Sequence, residues 1–129
     1  MTDFILYVDQ SVVHDGKLDD LKSAMAELVE FVEFNEPDIL SYNVYFNNDW
    51  DRMTVVHMHA DPATLEYHMD IAGPKFPPIG EFIELEAIDV YGDPGEDLAQ
   101  RLREKASTLG TGHVSIHDFH EGFDHVAID

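Results

Sequence analysis

The spacing of apolar residues changes its period several times along the chain, and each change marks an element. Phe4 to Val13 is rich in β-branched and aromatic residues and stops at the turn signal His14-Asp15-Gly16, which predicts a first strand. Leu18, Leu21, Met25, Leu28, Val29 and Val32 then recur at steps of three and four, with Asp19, Asp20, Glu27, Glu30 and Glu33 on the other face. That is an amphipathic helix, with Asp15 placed to cap its first amides and Pro37 ending it by disfavouring helical geometry at Glu36. Leu40, Tyr42, Val44 and Phe46 alternate with polar positions, and Met53 to Ala60 resumes strand character after the polar loop Asn47-Asn48-Asp49-Trp50-Asp51, so the two form a hairpin.

Asp61-Pro62 provides an N-cap and a proline at the first helical position, and Leu65, Met69 and Ala72 carry a short helix to Gly73-Pro74. Pro74 to Pro78 reads as an irregular connection around Phe76. Between Ile83 and Tyr91 two alternating phases follow one another, Ile83, Leu85, Ala87 and then Ile88, Val90, which predicts a fourth strand with a bulge. A third helix runs from Asp93 or Pro94 through Leu98, Leu102 and Ala106 to a stop at Gly110 and Gly112. His113 to Phe119 is a last short strand, and Gly122 to Asp129 a loosely held tail. Strand, helix, strand, strand, helix, strand is the α+β, ferredoxin-like βαββαβ plan, with helices on one face of an antiparallel sheet. Residues 1–92 form this core and 93–129 a helix and strand extension of the same domain.

The sheet's second face changes the picture. Val56 and Met58 point one way and Met53 and Val55 the other, and the first strand is likewise apolar on both sides. With too few helices for two faces, the bare side is expected to be covered by a second copy of the chain, giving a homodimer.

Composition narrows the function further. The 129 residues carry 27 Asp and Glu against 7 Lys and Arg, a net charge of -20 spread over the whole chain. Such a field repels phosphate backbones and anionic lipids, which excludes nucleic acid and membrane surfaces as partners. A halophilic protein is expected, its self-repulsion screened where the Debye length falls to about 3 Å in molar salt, with an ordinary acidic cytosolic protein as the alternative. The absence of cysteine excludes disulfides, thiolate catalysis and zinc-thiolate sites. Met1 to Asp9 has no basic n-region or cleavage site, and no apolar run approaches the roughly 18 residues of a membrane span, so a cytoplasmic location is expected.

Eight histidines remain as candidate bases and ligands. His57 and His59 are two apart on a strand and share a face with Val55, while His68 follows Leu65 by three on the helix side that packs on the sheet. A base in an apolar cleft, its cation disfavoured by burial, takes a phenolic proton and leaves an electron-rich anion for reaction with oxygen. His68 is the candidate base and His57 or His59 its orienting partner; the same positions also suit hydrogen-bonded structural histidines. Tyr7, Tyr42, Phe46 and Phe76 are candidate ring contacts for a flat ligand, or else core packing. His113, His117, His120 and His125 suggest a metal only weakly, because a three-residue step such as His117 to His120 reverses the strand face, and no metal is assigned.

Three stretches taken in order resemble one family. Asp15-Gly16-Lys17-Leu18 leads to Glu36-Pro37-Asp38-Ile39-Leu40-Ser41-Tyr42; His57-Met58-His59-Ala60-Asp61-Pro62 runs into a helix carrying His68; and Val90-Tyr91-Gly92 closes a strand. Together they resemble the dimeric α/β-barrel superfamily, and within it the antibiotic-biosynthesis-monooxygenase-like group, over roughly residues 3 to 92. The resemblance implies a homodimer with a cleft between sheet and helices in each subunit. It also implies oxygenation of a small aromatic or quinol-type molecule with no metal or flavin cofactor; relatives degrade haem. The first strand has no asparagine and Trp50 lies in the hairpin loop, so His68 is the one family position matched. The alternative is a non-catalytic small-molecule binder or structural homodimer of the same fold.

Overall fold

In the computed structural model, which describes residues 3–126, the chain forms five strands and four helices. In order they are β1 (Ile5–Val13), α1 (Leu18–Asn35), β2 (Ser41–Phe46), β3 (Arg52–His59), α2 (Pro62–Ala72), α3 (Phe76–Ile79), β4 (Ile83–Tyr91), α4 (Glu96–Leu109) and β5 (Gly110–His117). The sheet order is β2-β3-β1-β4-β5; β1 lies antiparallel to β3 and β4, β2 antiparallel to β3, and β5 parallel to β4. The first four strands follow the ferredoxin-like order, and α4 with β5 extends it as a βαβ unit on the β4 edge, which β5 covers. Among the described residues, no helix is long and apolar enough to cross a membrane.

Local chemistry explains most boundaries. Asp61 caps α2, its Oδ1 accepting from the Thr64 N–H at 3.0 Å, and Pro62 sits at the start where its missing N–H costs nothing. Asn47 Oδ1 accepts from the amides of Asp51 and Arg52 at 3.1 and 2.9 Å, closing the β2–β3 loop with Trp50 at φ 59°. The expectation that Asp15 caps α1 is not met. The helix begins after Lys17 with no side-chain cap, because the His14-Asp15-Gly16 turn bonds the Lys17 N–H to the His14 carbonyl at 3.1 Å.

β1 buries Ile5, Tyr7, Asp9, Ser11 and Val13 on the face beneath the helices. One core joins Ile5, Tyr7 and Val13 to Leu21, Met25, Leu28 and Val32 of α1, Leu65 and Met69 of α2, and Leu98, Leu102 and Leu109 of α4. The opposite face carries Leu6, Val8, Val12, Val56 and Met58, half-buried with no helix over them. The expected bulge is present: pairing shifts from Gln10–Ala87 to Ser11–Leu85, leaving Glu86 as the extra residue.

The last helix and strand differ from the sequence reading. Gly110 and Gly112 do not punctuate a loop; they are the start of β5, which ends at His117, not Phe119. A Cβ on Gly110 would stand 2.4 Å from the Leu85 N and O, and one on Gly112 2.4 Å from the Glu86 carbonyl carbon. Both glycines therefore let β5 cross β4 at its bulge. The segment Pro74 to Pro78, read as irregular, is a 3-10 turn (Gly73–Lys75) running into α3. Residues 118–126 form no helix or strand, and the rest of the expected loose tail, 127–129, lies outside the described residues.

Gly110→Ala should destabilise the fold by about 1–3 kcal/mol through overpacking against β4, with a matching fall in the urea midpoint. An unchanged midpoint would show that the β4–β5 crossing is not close.

Candidate active site

Register across three strands builds the floor of the site. Tyr7 pairs with His57 on β3, which pairs with Tyr42 on β2, so three rings stand in a row beneath the helices. The His57 imidazole stacks between them, its centroid 4.0 Å from Tyr7 and 5.1 Å from Tyr42, each at 26°. Two residues along, His59 shares the face, and His57 Nδ1 lies 2.6 Å from His59 Nε2; one ring donates and the other accepts.

Two helices close the site from above. α1 ends at Glu36, whose N–H still bonds the Val32 carbonyl at 2.9 Å while its side chain turns inward, only 1% exposed. His68 projects from the buried stripe of α2, and its Nδ1 donates to Glu36 Oε1 and Oε2, both at 2.9 Å. Its other nitrogen, Nε2, is buried with no hydrogen-bond partner among protein groups. Tyr42, His57 and Phe76 surround the ring at centroid distances of 5.5, 4.7 and 5.7 Å.

A second polar group lies beside the first. Tyr7 donates to Asp9 Oδ2 at 2.7 Å and accepts from Lys105 Nζ at 2.7 Å; Nζ stands 3.7 Å from Asp9 Oδ2. Asp9, Ser11, Tyr42, Phe76 and Lys105 line an inner hollow of about 30 Å³, otherwise apolar. Ser11 Oγ has no partner there. An outer cleft of about 210 Å³, lined by Met69, Gly73, Pro77, Arg101 and Thr108 among others, shares Phe76, Lys105 and Leu109 with the hollow. These three residues border both spaces.

Burial dominates the electrostatics. It holds His57 well below its ordinary value, with the neighbouring His68 and His59 adding to the effect, and pushes His59 down to about 3. His68 is also lowered by burial, against the opposing pull of Glu36. Burial raises the Asp9 carboxyl against the Lys105 charge and Tyr7 hydrogen bond, lowers Lys105 against Asp9, and raises both phenols, Tyr7 well above its usual range. The three imidazoles are therefore neutral at pH 7.

The structure brings His57, His59, His68, Tyr7, Tyr42 and Phe76 together. Phe46 stands apart at the far end of β2, its ring 5.4 Å from that of Trp50. Sequence reasoning missed Glu36, Asp9, Ser11 and Lys105. A signal for Asp9 and Ser11 was present, since both occupy the inward phase of an apolar strand, and Lys105 interrupts the stripe Leu98, Leu102, Ala106, Leu109. Away from the site, His117 Nε2 pairs with Asp89 at 2.9 Å and stacks on Tyr91. Among the described residues, no group of three or more His, Asp or Glu is placed to hold a metal ion.

No protein-family profile matches the chain, and no curated protein sequence does. Solved structures do match. MupZ from Pseudomonas fluorescens superposes with a TM-score of 0.74 at 15% identity, covering 96% of this chain and 91% of its own. SnoaB, a cofactor-independent oxygenase from Streptomyces nogalater, gives 0.61 at 14% identity over 73% of this chain and 96% of its own. A conserved protein from Methanosarcina mazei gives 0.62 at 23% identity, covering 71% of this chain and 94% of its own. The chain thus shares its fold with MupZ, with SnoaB and with a putative antibiotic biosynthesis monooxygenase from Caulobacter crescentus.

Each lowered histidine binds its proton more weakly folded than unfolded, so its contribution to stability is present above the unfolded value near 6.5 and is lost as pH falls from there toward about 3. Urea midpoints measured at high salt should fall through this window. His59→Gln should reduce the proton-linkage slope by up to one proton. A slope equal to that of the parent protein would mean that His59 is not held neutral.

Proposed function

We propose that the protein is a cofactor-independent monooxygenase acting on a small aromatic or quinol-type molecule, assembled as a homodimer. The observation that carries the reading is the buried His68–Glu36 pair with a free Nε2, since a neutral imidazole oriented by a carboxylate on its other nitrogen is a ready general base. Nε2 takes the proton of a phenolic hydroxyl, and Glu36 stabilises the imidazolium that forms. Tyr42 and Phe76 supply faces for the substrate ring, and the His57–His59 pair offers an N–H toward its oxyanion. The electron-rich ring carbon of the anion then bonds to dioxygen; cleavage of the O–O bond leaves one oxygen on the ring and releases the other as water. A phenol and one dioxygen become a quinone and one water, which balances without a metal or flavin. The oxygenase described for SnoaB, on the same fold, supports this reaction class.

Access is the condition the structure imposes. His57, His59 and His68 line neither the hollow nor the outer cleft, and the hollow's volume of about 30 Å³ is roughly a fifth of the ~150 Å³ cavity that accommodates benzene, so an aromatic substrate reaches Nε2 only if Phe76 and the side chains packed around His68 move. That small volume is also the one observation favouring the second reading, a non-catalytic homodimer of the same fold.

Oxygen uptake with a panel of naphthols and quinols separates the two. Turnover by the parent protein that drops by about 10²- to 10⁴-fold in His68→Ala, with ligand affinity retained, supports the base. The rate should rise with pH through a group lying below the ordinary 6.5 of histidine and level off above it. No uptake with any panel member would favour the non-catalytic reading, and an unchanged rate in the variant would exclude His68. Sedimentation at micromolar protein in molar salt should return twice the 14.7 kDa chain mass, because Leu6, Val8, Val12, Val56 and Met58 are left for a second copy to cover. A single-chain mass would remove the dimer.

A further inference from the structure

The proton chemistry assigned to His68 leaves a largely buried lysine beside the site unused. Of the four lysines in the chain, Lys17, Lys22 and Lys75 are exposed, whereas the Lys105 side chain is 8% exposed and is fixed at its amine. Nζ sits 4.1 Å from the Phe76 ring centroid, 2.7 Å from the Tyr7 oxygen and 3.7 Å from Asp9 Oδ2. Lys105 also borders both the outer cleft and the inner hollow, so a small molecule filling the 210 Å³ cleft lies against its side chain. Desolvation against an aromatic face disfavours an ammonium and is one of the ways a lysine becomes a nucleophile, although Asp9 pulls in the other direction.

We propose that Lys105 captures a small aldehyde or ketone from the outer cleft as a Schiff base, an activity separate from the oxygenation described above. The Nζ lone pair forms a bond to the carbonyl carbon while the carbonyl oxygen takes a proton, giving a carbinolamine. Its hydroxyl then leaves as water with a proton from Asp9, and a C=N bond remains. One amine and one carbonyl give one imine and one water, with no oxidant or reductant. Burial favours this state: it disfavours the ammonium of Lys105 and the carboxylate of Asp9 alike, so moving the proton from Nζ to the carboxyl leaves a free amine beside an acid. Tyr7, bonded to both, holds the amine and carboxyl in place and supplies a short route for the proton. Arg101, already paired with Asp70 at 2.8 Å, and Glu104 make the cleft mouth polar without a free excess cation, which suits a neutral carbonyl compound.

The test uses the whole protein at pH 7 with propanal or butanone and cyanoborohydride, which fixes any imine as a stable amine. Peptide mass mapping then follows the initial rate at each lysine. Lys105 should be alkylated severalfold faster than Lys17, Lys22 and Lys75, because burial disfavours its ammonium and enlarges its neutral fraction. Lys105→Arg should lose this fast site and leave the three slow ones unchanged. A Lys105 rate equal to or below that of the surface lysines, including no modification at all, would overturn the proposal and leave the residue as the cation of a structural ion pair. Because the readout is covalent mass, it is independent of whether the protein consumes oxygen.

Discussion

An amine, two carboxyls, three imidazoles and two phenols lie between one sheet face and its helices, and the pairs they form offset much of the cost of burying them, with His68 Nε2 and His59 Nδ1 left without a protein partner. Desolvating an ion costs several kcal/mol, roughly, and an unpaired partner left behind in a dry interior is worse. Glu36 answers His68, Asp9 answers Lys105 through Tyr7, and His57 answers His59. The stacking of His57 between Tyr7 and Tyr42 depends on β1, β3 and β2 holding one register, so a slip by a residue would turn every member of the row to the other face. Pairing and register constrain each other: the strands align the rings, and the cost of breaking the polar pairs holds the strands in alignment.

Much of the fold was legible because its signals are local. The alternation of Leu40 to Phe46, the three- and four-residue steps from Leu18 to Val32, and the two phases of Ile83 to Val90 each reflect neighbours a few residues away, and each became the expected element, though the bulge falls at Glu86 and not between Ala87 and Ile88. His57, His59 and His68 were recognisable for the same reason, because strand and helix periods decide which face a residue takes. Glu36 and Lys105 were not. Their roles rest on contacts spanning 32 and 98 residues, and nothing in the sequence around a helix-ending glutamate or a lysine within a charged helix says what tertiary packing brings to it. Phe46 had the right phase and lies too far along β2, since phase fixes the face but not the position along the strand. The Asp15 cap failed because the preceding turn already bonds the helix start.

The extension beyond β4 does more than lengthen the chain. β5 pairs with an edge that the four-stranded plan leaves open, and α4 delivers Lys105 to a site otherwise built from β1, β2, β3 and the helix ends. SnoaB superposes on 73% of this chain, whereas MupZ superposes on 96%. A fold common to all three does not make a common site, and the chemistry of this one has to be argued from its own side chains.

Phe76 lies in a stretch with unusually little backbone freedom. Pro74, Pro77 and Pro78 each fix one dihedral within five residues, and the amides of Gly80, Glu81 and Phe82 bond back to the carbonyls of Pro77, Pro78 and Ile79. A barrier mounted on so stiff a support cannot fray open residue by residue. Any opening there has to displace the segment as a unit about its ends, a collective kind of movement that in proteins generally takes microseconds to milliseconds, far longer than a lone side-chain flip.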